Sequence, residues 1–484
     1  MRNFYIKANR AFTSVRKYAW IFTLTVAFGG LWYPRLGLLV FGVIFSLTAI
    51  SLFKGRYWCG NYCAHGSLFD QILLPFSRNR EIPKFLKSTF TQVAVLTWFM
   101  YNLTSRFIRV AGLWGELQFL DRLGFVFVMS YLMVTLAGGT LGLIFAPRSW
   151  CQFCPMGTMQ VLMYKLGKLL GWTKKHDRLI TIEAIEKCHK CGKCARVCPM
   201  QLVPYTEFKD QAQFAHEACI RCVTCVEHCP AKILSLKTYA EAKAAAKKVD
   251  LAGYTDRRKI RAKITEMADL APDTREFTMK FVEPAKVSYH PGQYFLVKIQ
   301  NTPEAFRAYS ISGLGGETSV RMTVKWLRDG YGTGIIFDTF AVGTEVTLEG
   351  PMGHELVIDP SAKKVVLVAG GIGITPFVPI LQDLAAKGVE TTLVYGANTE
   401  NDFIYDAVLS NLASESPRIN YIRVAAKPGA GFTGQTGLVT DALRGLKLQG
   451  VKVYMCGPKG MVNASTKLLK ELGVPAEAIF AESA

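Results

Sequence analysis

Long apolar stretches dominate the chain before residue 150. Each approaches the roughly 20 residues that a helix needs to cross a hydrocarbon core, and they cover residues 18–33, 36–53, 90–103 with its flanks, and 124–146. The pattern predicts a bundle of about four transmembrane helices within residues 1–178. One alternative is that the first two stretches form a single element kinked at Pro34. A signal peptide is disfavoured, because no small-residue cleavage site precedes the second stretch.

Three further segments with their own patterns follow these stretches. Apolar residues from Met159 to Trp172 recur at helical spacing with lysines between them. This segment fits a helix on a membrane surface and an ordinary packed helix equally well. An Ala/Lys-rich run from 239 to 249 predicts a linker helix, and strand-like alternation starts near Ile260. We therefore place a domain boundary between these last two segments.

Charge is concentrated at one end of the chain. The protein has 484 residues and a formal net charge of +20, and residues 1–178 contain 21 Lys and Arg against 5 Asp and Glu. The basic residues flank the apolar stretches, as the positive-inside rule predicts for cytoplasmic loops. The charge is therefore assigned to membrane topology, and nucleic acid is excluded as a partner.

Twelve of the 13 cysteines lie in four tight clusters between Cys59 and Cys229. They are too closely spaced to bridge one another as a secreted disulfide framework, so the clusters suggest metal binding. No histidine falls inside an apolar stretch. A relay across a bilayer of haems that are each ligated by two histidines is therefore not expected.

Two of the clusters repeat the spacing CxxCxxCxxxCP. Three thiolates at this spacing can hold one face of a [4Fe-4S] cluster, while the fourth reaches the partner cluster. Zinc sites rarely repeat the triple spacing, which disfavours a zinc-stapled module. The segment 183–236 resembles bacterial two-cluster ferredoxins. One cluster is assigned to Cys188, Cys191, Cys194 and Cys229, and the other to Cys219, Cys222, Cys225 and Cys198.

Four further thiols follow the second and fourth apolar stretches. They are Cys59, Cys63, Cys151 and Cys154. Even numbers of crossings would put both pairs on the same, cytoplasmic side. Two interpretations fit them: a further iron–sulfur cluster, or free thiols in folded loops.

Residues 15–236 as a whole resemble the membrane polyferredoxins of nitrate and nitrous oxide respiration. In that family, membrane spans alternate with CxxxCP loops and end in a ferredoxin module. Two departures stand out, because Ala64 replaces the proline after the first pair and Cys151 to Cys154 is CxxC. The resemblance therefore implies the fold more than any role for these four thiols.

A dense motif set covers the second half of the chain. In order, the motifs are Pro291-Gly292-Gln293-Tyr294, Arg307-Ala308-Tyr309-Ser310, Gly330-Tyr331-Gly332-Thr333, Gly370-Gly371-Ile372-Gly373-Ile374-Thr375-Pro376 and Met455-Cys456-Gly457-Pro458. The apolar run Val365–Ala369 before the fourth motif predicts a buried strand, a glycine turn and a helix start. Residues 257–484 thereby resemble the ferredoxin-NADP reductase superfamily.

The resemblance implies a role for each motif. Arg307 would meet the FAD pyrophosphate together with Gly332 and Thr333, Tyr309 would pack on the isoalloxazine, and Ser310 would hydrogen-bond flavin N5. The nicotinamide nucleotide would lie on Gly370, Gly371, Gly373, Thr375 and Pro376, with Cys456, Gly457 and Pro458 beside the nicotinamide. The expected catalytic residues are Ser310, Tyr309, Cys456, Thr375 and Glu482.

Three departures from this family limit what carries over. Asn398 replaces an arginine, and the chain ends at Ala484 after Glu482, where relatives often close with phenylalanine. The Ser-Arg pair that grips a 2′-phosphate is not evident at 425–427. NADH is therefore favoured over NADPH.

The predicted architecture is multidomain. Its parts are a four-helix transmembrane domain with cytoplasmic cysteine loops (1–178), a 2[4Fe-4S] ferredoxin-like α+β module (179–238), a linker (239–256), an FAD-binding antiparallel β-barrel (257–360) and an α/β, Rossmann-like NAD(P)-binding domain (361–484).

The predicted function is electron transfer from NAD(P)H through FAD and [4Fe-4S] clusters to a quinone or a membrane-associated redox protein. The protein would be multi-pass in the cytoplasmic membrane, with its cofactor domains in the cytoplasm. The alternatives are a reductase subunit that feeds a membrane oxygenase or reductase, and a redox-sensing or assembly polyferredoxin. The intact FAD and nucleotide motifs argue against the last, because a sensor does not need a hydride site.

Overall fold

The computed structural model describes residues 3–208, 212–314 and 316–483. The chain divides into two compact units, Met1–Asp250 and Leu251–Ala484. The first unit contains every clustered cysteine, and the second contains the predicted flavin and nucleotide motifs.

The first unit is mainly helical. Its helices are α1 (Ser14–Tyr18), α2 (Trp20–Ala27), α3 (Leu39–Lys54), α4 (Tyr57–Asn61), α5 (Ala64–Leu68), α6 (Thr89–Ala111), α7 (Phe119–Ile144), α8 (Pro155–Leu169), α9 (Thr173–His176), α10 (Lys193–Arg196), α11 (Pro204–Glu207), α12 (Thr224–Glu227) and α13 (Tyr239–Ala246). Tighter helical turns connect several of them, including Gly29–Leu31 and Pro34–Leu38.

The first apolar stretch does not form one long helix. Helix α2 ends at Ala27, and 3₁₀ turns replace it where the sequence contains Gly29, Gly30 and Pro34. This broken segment runs close against α7. A Cβ added at Gly37 would stand 2.0 Å from the backbone oxygen of Gly124. The break therefore allows a backbone approach that a side chain would prevent.

Two helical segments in the described residues are long and apolar enough to cross a membrane, Pro34–Lys54 and Phe119–Ile144. The third stretch forms the 23-residue α6, which contains polar residues such as Gln92, Asn102 and Arg106. Core helices of soluble proteins can have the same length and composition as these two candidates. The structure therefore gives two candidates by length and composition, and the predicted four-helix transmembrane bundle is not shown.

The ferredoxin-like part contains a small antiparallel sheet in the order β2-β1-β3. Its strands are β1 (Leu179–Ile182), β2 (Gln213–Phe214) and β3 (Leu234–Lys237). The backbone repeats at the offset that separates the two cysteine motifs, because α10 and α12 occupy equivalent positions. Left-handed residues precede each of these helices, Gly192 in one copy and Val223 in the other.

A closed six-stranded barrel opens the second unit, with the strand order β4-β5-β8-β7-β6-β9. The strands are β4 (Arg258–Ala271), β5 (Thr274–Glu283), β6 (Tyr294–Asn301), β7 (Glu304–Leu314), β8 (Ser319–Lys325) and β9 (Glu345–Met352), and α14 (Tyr331–Thr339) follows β8. Alternate residues of β4, such as Ile260, Ala262 and Ile264, are fully buried in the barrel core. The strand alternation predicted near Ile260 is confirmed.

A parallel sheet completes the second unit, in the order β13-β12-β11-β10-β14-β15. Its strands are β10 (Lys364–Gly370), β11 (Glu390–Ala397), β12 (Ile419–Ala425), β13 (Gln435–Thr436), β14 (Lys452–Gly457) and β15 (Ile479–Ser483), with helices α15 (Phe377–Ala386), α16 (Asp406–Glu415), α17 (Val439–Arg444) and α18 (Lys459–Glu471). The predicted buried strand, glycine turn and helix start at 365–376 are confirmed as β10, a 3₁₀ turn and the approach to α15.

Candidate functional site

Two apolar cavities in the ferredoxin-like part are lined by its eight cysteines. The cysteines of the first cavity are Cys188, Cys191, Cys194 and Cys229. Those of the second are Cys198, Cys219, Cys222 and Cys225. Each set combines three closely spaced cysteines from one motif with the last cysteine of the other, as the spacing predicts. The structure therefore brings together the two sets of four thiols that the sequence assigned to two clusters.

Four thiols line each of these cavities, the number of ligands that a [4Fe-4S] cluster takes. Among the described residues, no three His, Cys, Asp or Glu side chains converge closely enough to hold one metal ion. A cluster is larger than an ion, so its thiolates stand farther apart. Sulfurs in both cavities have polar neighbours, since the Lys190 N–H donates to Cys188 Sγ at 3.4 Å and Thr224 Oγ1 lies 3.2 Å from Cys222 Sγ.

The other four thiols of the first unit also meet. Cys59 lies within α4 and Cys63 follows it, Cys151 and Cys154 precede α8, and the thiols lie close enough to interact electrostatically. Three of the sulfurs accept hydrogen bonds, whose donors are Gln160 Nε2 to Cys59 at 3.1 Å, the Gly66 N–H to Cys63 at 3.4 Å and Arg148 Nη1 to Cys151 at 3.6 Å. Folding thus assembles one four-thiol site from two distant segments.

This four-thiol site adjoins the second ferredoxin cavity. Cys59 and Cys151 belong to one apolar cluster, against which Cys198 and Cys222 pack. The contact is close at Gly60, where an added Cβ would stand 1.9 Å from the backbone oxygen of Ile220. The two thiol groups are therefore neighbours within the first unit.

An open cavity of about 480 Å³ lies at the end of α3. It is lined by Ile50, Phe53, Lys54, Tyr57, Tyr62 and His176. Tyr57 begins α4, the short helix that contains Cys59, and Tyr62 directly follows this helix, next to Cys63. The cavity combines aromatic rings with side chains that can donate hydrogen bonds.

The predicted FAD-binding residues meet beside the barrel. Arg307 and Ser310 lie on β7, and α14 begins at Tyr331 after Gly330. A Cβ at Gly332 would stand 2.6 Å from Arg307 Nε, so the guanidinium lies over the glycine. The N–H groups of a first helical turn and an adjacent guanidinium together suit a pyrophosphate. Thr333 Oγ1 accepts a hydrogen bond from the Leu327 N–H at 3.2 Å.

The predicted nucleotide-binding residues converge at the carboxyl ends of β10 and β14. A Cβ at Gly373 would stand 2.2 Å from the backbone oxygen of Cys456, and one at Gly370 would stand 3.0 Å from Pro458. Gly371 adopts a left-handed φ of 54°. Thr375 is buried, and Pro376 precedes α15. Ligands of open parallel sheets bind at this edge.

Glu482 lies opposite Cys456 in the pairing of β14 with β15. Burial and the Glu355 carboxylate raise the pKa of Glu482 to about 7. Burial, followed by the Glu482 carboxylate, raises the pKa of the Cys456 thiol. Cys456 is therefore a neutral thiol near neutral pH, and Glu482 changes charge there.

The sequence interpretation missed the polar side chains that surround the four-thiol site. Arg10, Arg16 and Arg56 were interpreted as loop charges but are buried, as is Arg148. All three side-chain nitrogens of Arg148 donate hydrogen bonds. Its Nε and Nη2 donate to Asp70 Oδ2 at 3.2 and 2.8 Å. One signal was available, because Asp70 is one of the few acidic residues in residues 1–178.

Four family descriptions match the chain. The second unit matches an oxidoreductase FAD-binding domain over residues 261–356 and an oxidoreductase NAD-binding domain over 367–467. The first unit matches a 4Fe-4S dicluster domain over 180–230. A 4Fe-4S binding domain matches twice, over 36–83 and 128–173, the segments that contain the four-thiol site.

Curated relatives are reductase components of oxygenase systems. The chain is 29% identical over 228 residues to the ferredoxin–NAD(P)(+) reductase component of naphthalene 1,2-dioxygenase/salicylate 5-hydroxylase systems of Ralstonia sp, covering 46% of this chain and 68% of the relative. It is 28% identical to the toluate 1,2-dioxygenase electron transfer component of Pseudomonas putida, covering 47% and 66%. The chain thus spans about two thirds of the length of these relatives.

Among solved structures, the Amycolatopsis cytochrome P450 reductase GcoB matches with a TM-score of 0.44 and 26% identity, covering 47% of this chain and 70% of that one. The family matches show FAD-binding, NAD-binding and 4Fe-4S domains in one chain. These are the domains of an NAD(P)H-dependent FAD and iron–sulfur oxidoreductase that transfers electrons. The membrane polyferredoxin type is not confirmed by these matches.

Proposed function

We propose that this protein is a membrane-bound oxidoreductase that carries electrons from NADH to a quinone within one chain. The observation that carries the proposal is the contact between the four-thiol site and the second ferredoxin cavity at Gly60. A soluble reductase that hands electrons to a separate ferredoxin has no need for a second thiol group packed beside its own ferredoxin module. The helices Pro34–Lys54 and Phe119–Ile144 would anchor the chain in the cytoplasmic membrane.

The ferredoxin cysteines would hold two [4Fe-4S] clusters. One would be held by the cavity with Cys188, Cys191, Cys194 and Cys229, and the other by the cavity with Cys198, Cys219, Cys222 and Cys225. The residues present fit such a group, because four thiols surround each apolar cavity and polar groups approach the sulfurs.

The four-thiol site would hold a third iron–sulfur cluster. Its sulfurs accept hydrogen bonds from Gln160, the Gly66 N–H and Arg148. Such hydrogen bonds are a known feature of cluster ligands and help to set their potentials. Free thiols need no such donors. Both segments also match a 4Fe-4S binding domain, which supports the assignment.

The second unit would bind FAD and the nicotinamide nucleotide. Arg307, Gly332 and Thr333 would hold the FAD pyrophosphate, while Tyr309 and Ser310 would contact the isoalloxazine. Bound FAD would supply the conversion of a two-electron hydride into single electrons.

The carboxyl edge of the parallel sheet would hold the nucleotide. Gly370, Gly371, Gly373, Thr375 and Pro376 would form its phosphate loop, and Cys456, Gly457 and Pro458 would orient the nicotinamide. Glu482 would take up or release a proton beside Cys456, since its pKa of about 7 lies near the working pH.

The cavity at the end of α3 would receive the quinone head group. Its aromatic walls suit a planar ring, and Tyr57 and His176 can hydrogen-bond the two carbonyl oxygens. One NADH releases two electrons and one proton, and the quinone takes up two electrons and two protons to become a quinol. The second proton comes from the cytoplasm, to which the open cavity gives access.

The test is anaerobic reduction of the purified protein in lipid nanodiscs. NADH should bleach the flavin and cluster absorbance, and a short-chain quinone should restore it promptly. Ser310→Ala should slow the bleaching while leaving the iron content unchanged. Bleaching without reoxidation by the quinone would contradict the proposed acceptor.

A second candidate is a reductase that supplies electrons to an oxygenase. The relatives favour it, because they are named as components of dioxygenase and monooxygenase systems. In the same nanodisc experiment, this candidate predicts reoxidation by a ferredoxin or oxygenase component but none by quinone. The two candidates therefore differ in one observable.

A further inference from the structure

Four arginines and one carboxylate are buried around the four-thiol site. Arg10, Arg16, Arg56 and Arg148 are each at most 5% exposed, and Asp70 is 3% exposed. Two glycines make room for the guanidinium groups. A Cβ at Gly66 would stand 2.5 Å from Arg148 Nη1, and one at Gly157 would stand 2.8 Å from Arg56 Nη2.

Arg148 connects the charges to the thiols. Its Nη1 donates to Cys151 Sγ at 3.6 Å and to the Cys59 carbonyl at 3.2 Å, while its other nitrogens bond Asp70. Arg56 Nη2 donates to the Cys151 carbonyl at 2.8 Å. Two basic side chains therefore touch the segment that supplies Cys151.

Asp70 is shared among three arginines. Its carboxylate pairs with Arg148, with Arg16, and with Arg10 at 3.4 Å. Burial alone would raise the pKa of Asp70, but the three guanidinium groups hold it well below its usual range. The carboxylate is therefore ionised, yet it can neutralise only one of the four positive charges.

Several donors of these arginines have no partner within the described residues. They are Arg10 Nε, Arg16 Nε, Arg16 Nη1 and Arg56 Nε. Buried charges are costly unless they are paired, and arginine does not lose its proton in proteins. The net positive charge and the unpaired guanidinium N–H donors of this buried site would be compensated by a bound anion. An iron–sulfur cluster with four thiolate ligands is such an anion.

We infer that Arg10, Arg16, Arg56 and Arg148 form a cationic cage that sets the reduction potential of a cluster held by Cys59, Cys63, Cys151 and Cys154. The inference rests on the proposed third cluster. Reduction adds negative charge, which nearby positive charges stabilise, so the cage raises the potential. Beside the second ferredoxin cavity, by contrast, the buried Arg221 is paired with Asp177 at 2.9 Å. The caged cluster is therefore the electron acceptor of the ferredoxin clusters.

The experiment is a redox titration of the holoprotein that is monitored by EPR. The signal of the cluster in the four-thiol site is identified by its loss in Cys154→Ser. Arg148→Gln should lower the midpoint potential of that signal by at least 59 mV, which is a tenfold change in the equilibrium constant of a one-electron reduction. Arg148→Lys keeps the positive charge, so its midpoint potential should fall by less than that of Arg148→Gln. Asp70→Asn should move the potential in the opposite direction, because it removes the only carboxylate identified in the cage.

Arg56→Gln provides a milder variant if either of these fails to fold, with a smaller downward shift expected. Arg35→Gln is the matched control, since this exposed arginine pairs with Asp121 on the surface and should shift nothing. A purely structural role would not give shifts of opposite sign for Arg148 and Asp70.

Iron and sulfide counts distinguish a failure of the cationic cage alone from a failure of the proposed third cluster. About twelve iron atoms per chain with unchanged potentials in all variants would overturn the cage and leave the third cluster standing. About eight iron atoms would overturn both, because the cage would then surround free thiols.

Discussion

The two thiol groups of the first unit are built in different ways. In the ferredoxin-like part, each set of four comes from two nearly identical motifs, and the nearby buried arginine, Arg221, has its own carboxylate. The four-thiol site joins two pairs that are far apart in sequence, and of the four buried arginines near it three share the Asp70 carboxylate. One group is thus defined by local spacing and the other by the tertiary fold.

This difference has a consequence for electron transfer. Two sites that carry the same kind of cofactor hold electrons unequally when their surroundings differ in charge. With clusters bound as proposed, the excess positive charge around the four-thiol site would favour electron transfer from the ferredoxin cavities toward that site. The close approach at Gly60 supplies the short distance that single-electron transfer also needs.

The largest expected effect comes from removing one ligand in each group. Cys194→Ser should lose about four iron atoms from the ferredoxin module, and Cys154→Ser should lose the iron of the four-thiol site alone. In both variants NADH should still bleach the flavin, because the second unit is unchanged. Electron delivery to quinone should stop in both. Cys456→Ser, outside the clusters, should retain all the iron, and iron loss in that control would contradict the assignment.

The next effect tests the contact between the two groups. Gly60→Ala would place a Cβ 1.9 Å from the Ile220 backbone oxygen, so one segment must move. Overpacking of this kind costs up to about 3 kcal/mol, and the displacement should slow reoxidation by quinone. Chemical denaturation and stopped-flow absorbance would measure the two effects. Gly139→Ala lies in the interior of α7 and would meet nothing within 4 Å, so it should leave reoxidation by quinone unchanged and should not lower stability, because alanine favours a helix interior by up to about 1 kcal/mol. Equal behaviour of the two variants would refute the contact.

The smallest effect concerns the internal repeat of the ferredoxin module. Val223 has a φ of 54°, whereas the equivalent position in the other copy is Gly192. A β-branched residue in the left-handed backbone conformation destabilises the fold by on the order of 1 kcal/mol. Val223→Gly should therefore raise the free energy of unfolding by up to about 1 kcal/mol, less what its packing contributes. Gly192→Ala should lower it by a similar amount, and changes of the same sign would contradict the repeat.

Features that depend on neighbouring residues were predictable from the sequence. Features that depend on contacts between residues far apart in the chain were not. The CxxCxxCxxxCP spacing predicted both cysteine sets because a few neighbouring residues determine the geometry. Period-two alternation near Ile260 and the apolar run at 365–369 predicted β4 and β10 for the same reason.

Composition was less informative in the first unit. The apolar stretch 18–33 predicted a full helix, but glycines and Pro34 break it where the backbone approaches α7. The basic residues before Cys59 were interpreted as loop charges. Arg10 and Arg16 are instead buried, because Asp70, far away in sequence, folds against them. Charge alone does not reveal such a partner.

The most direct test is to locate the first electron. Anaerobic protein in nanodiscs would receive half an equivalent of NADH, which is one electron per chain, and would be frozen for EPR after equilibration. The electron is expected to appear in the EPR signal that Cys154→Ser abolishes. An electron found instead in the signals that depend on Cys194 or Cys222 would contradict this expectation, because the four-thiol site would then not be the acceptor of the ferredoxin clusters.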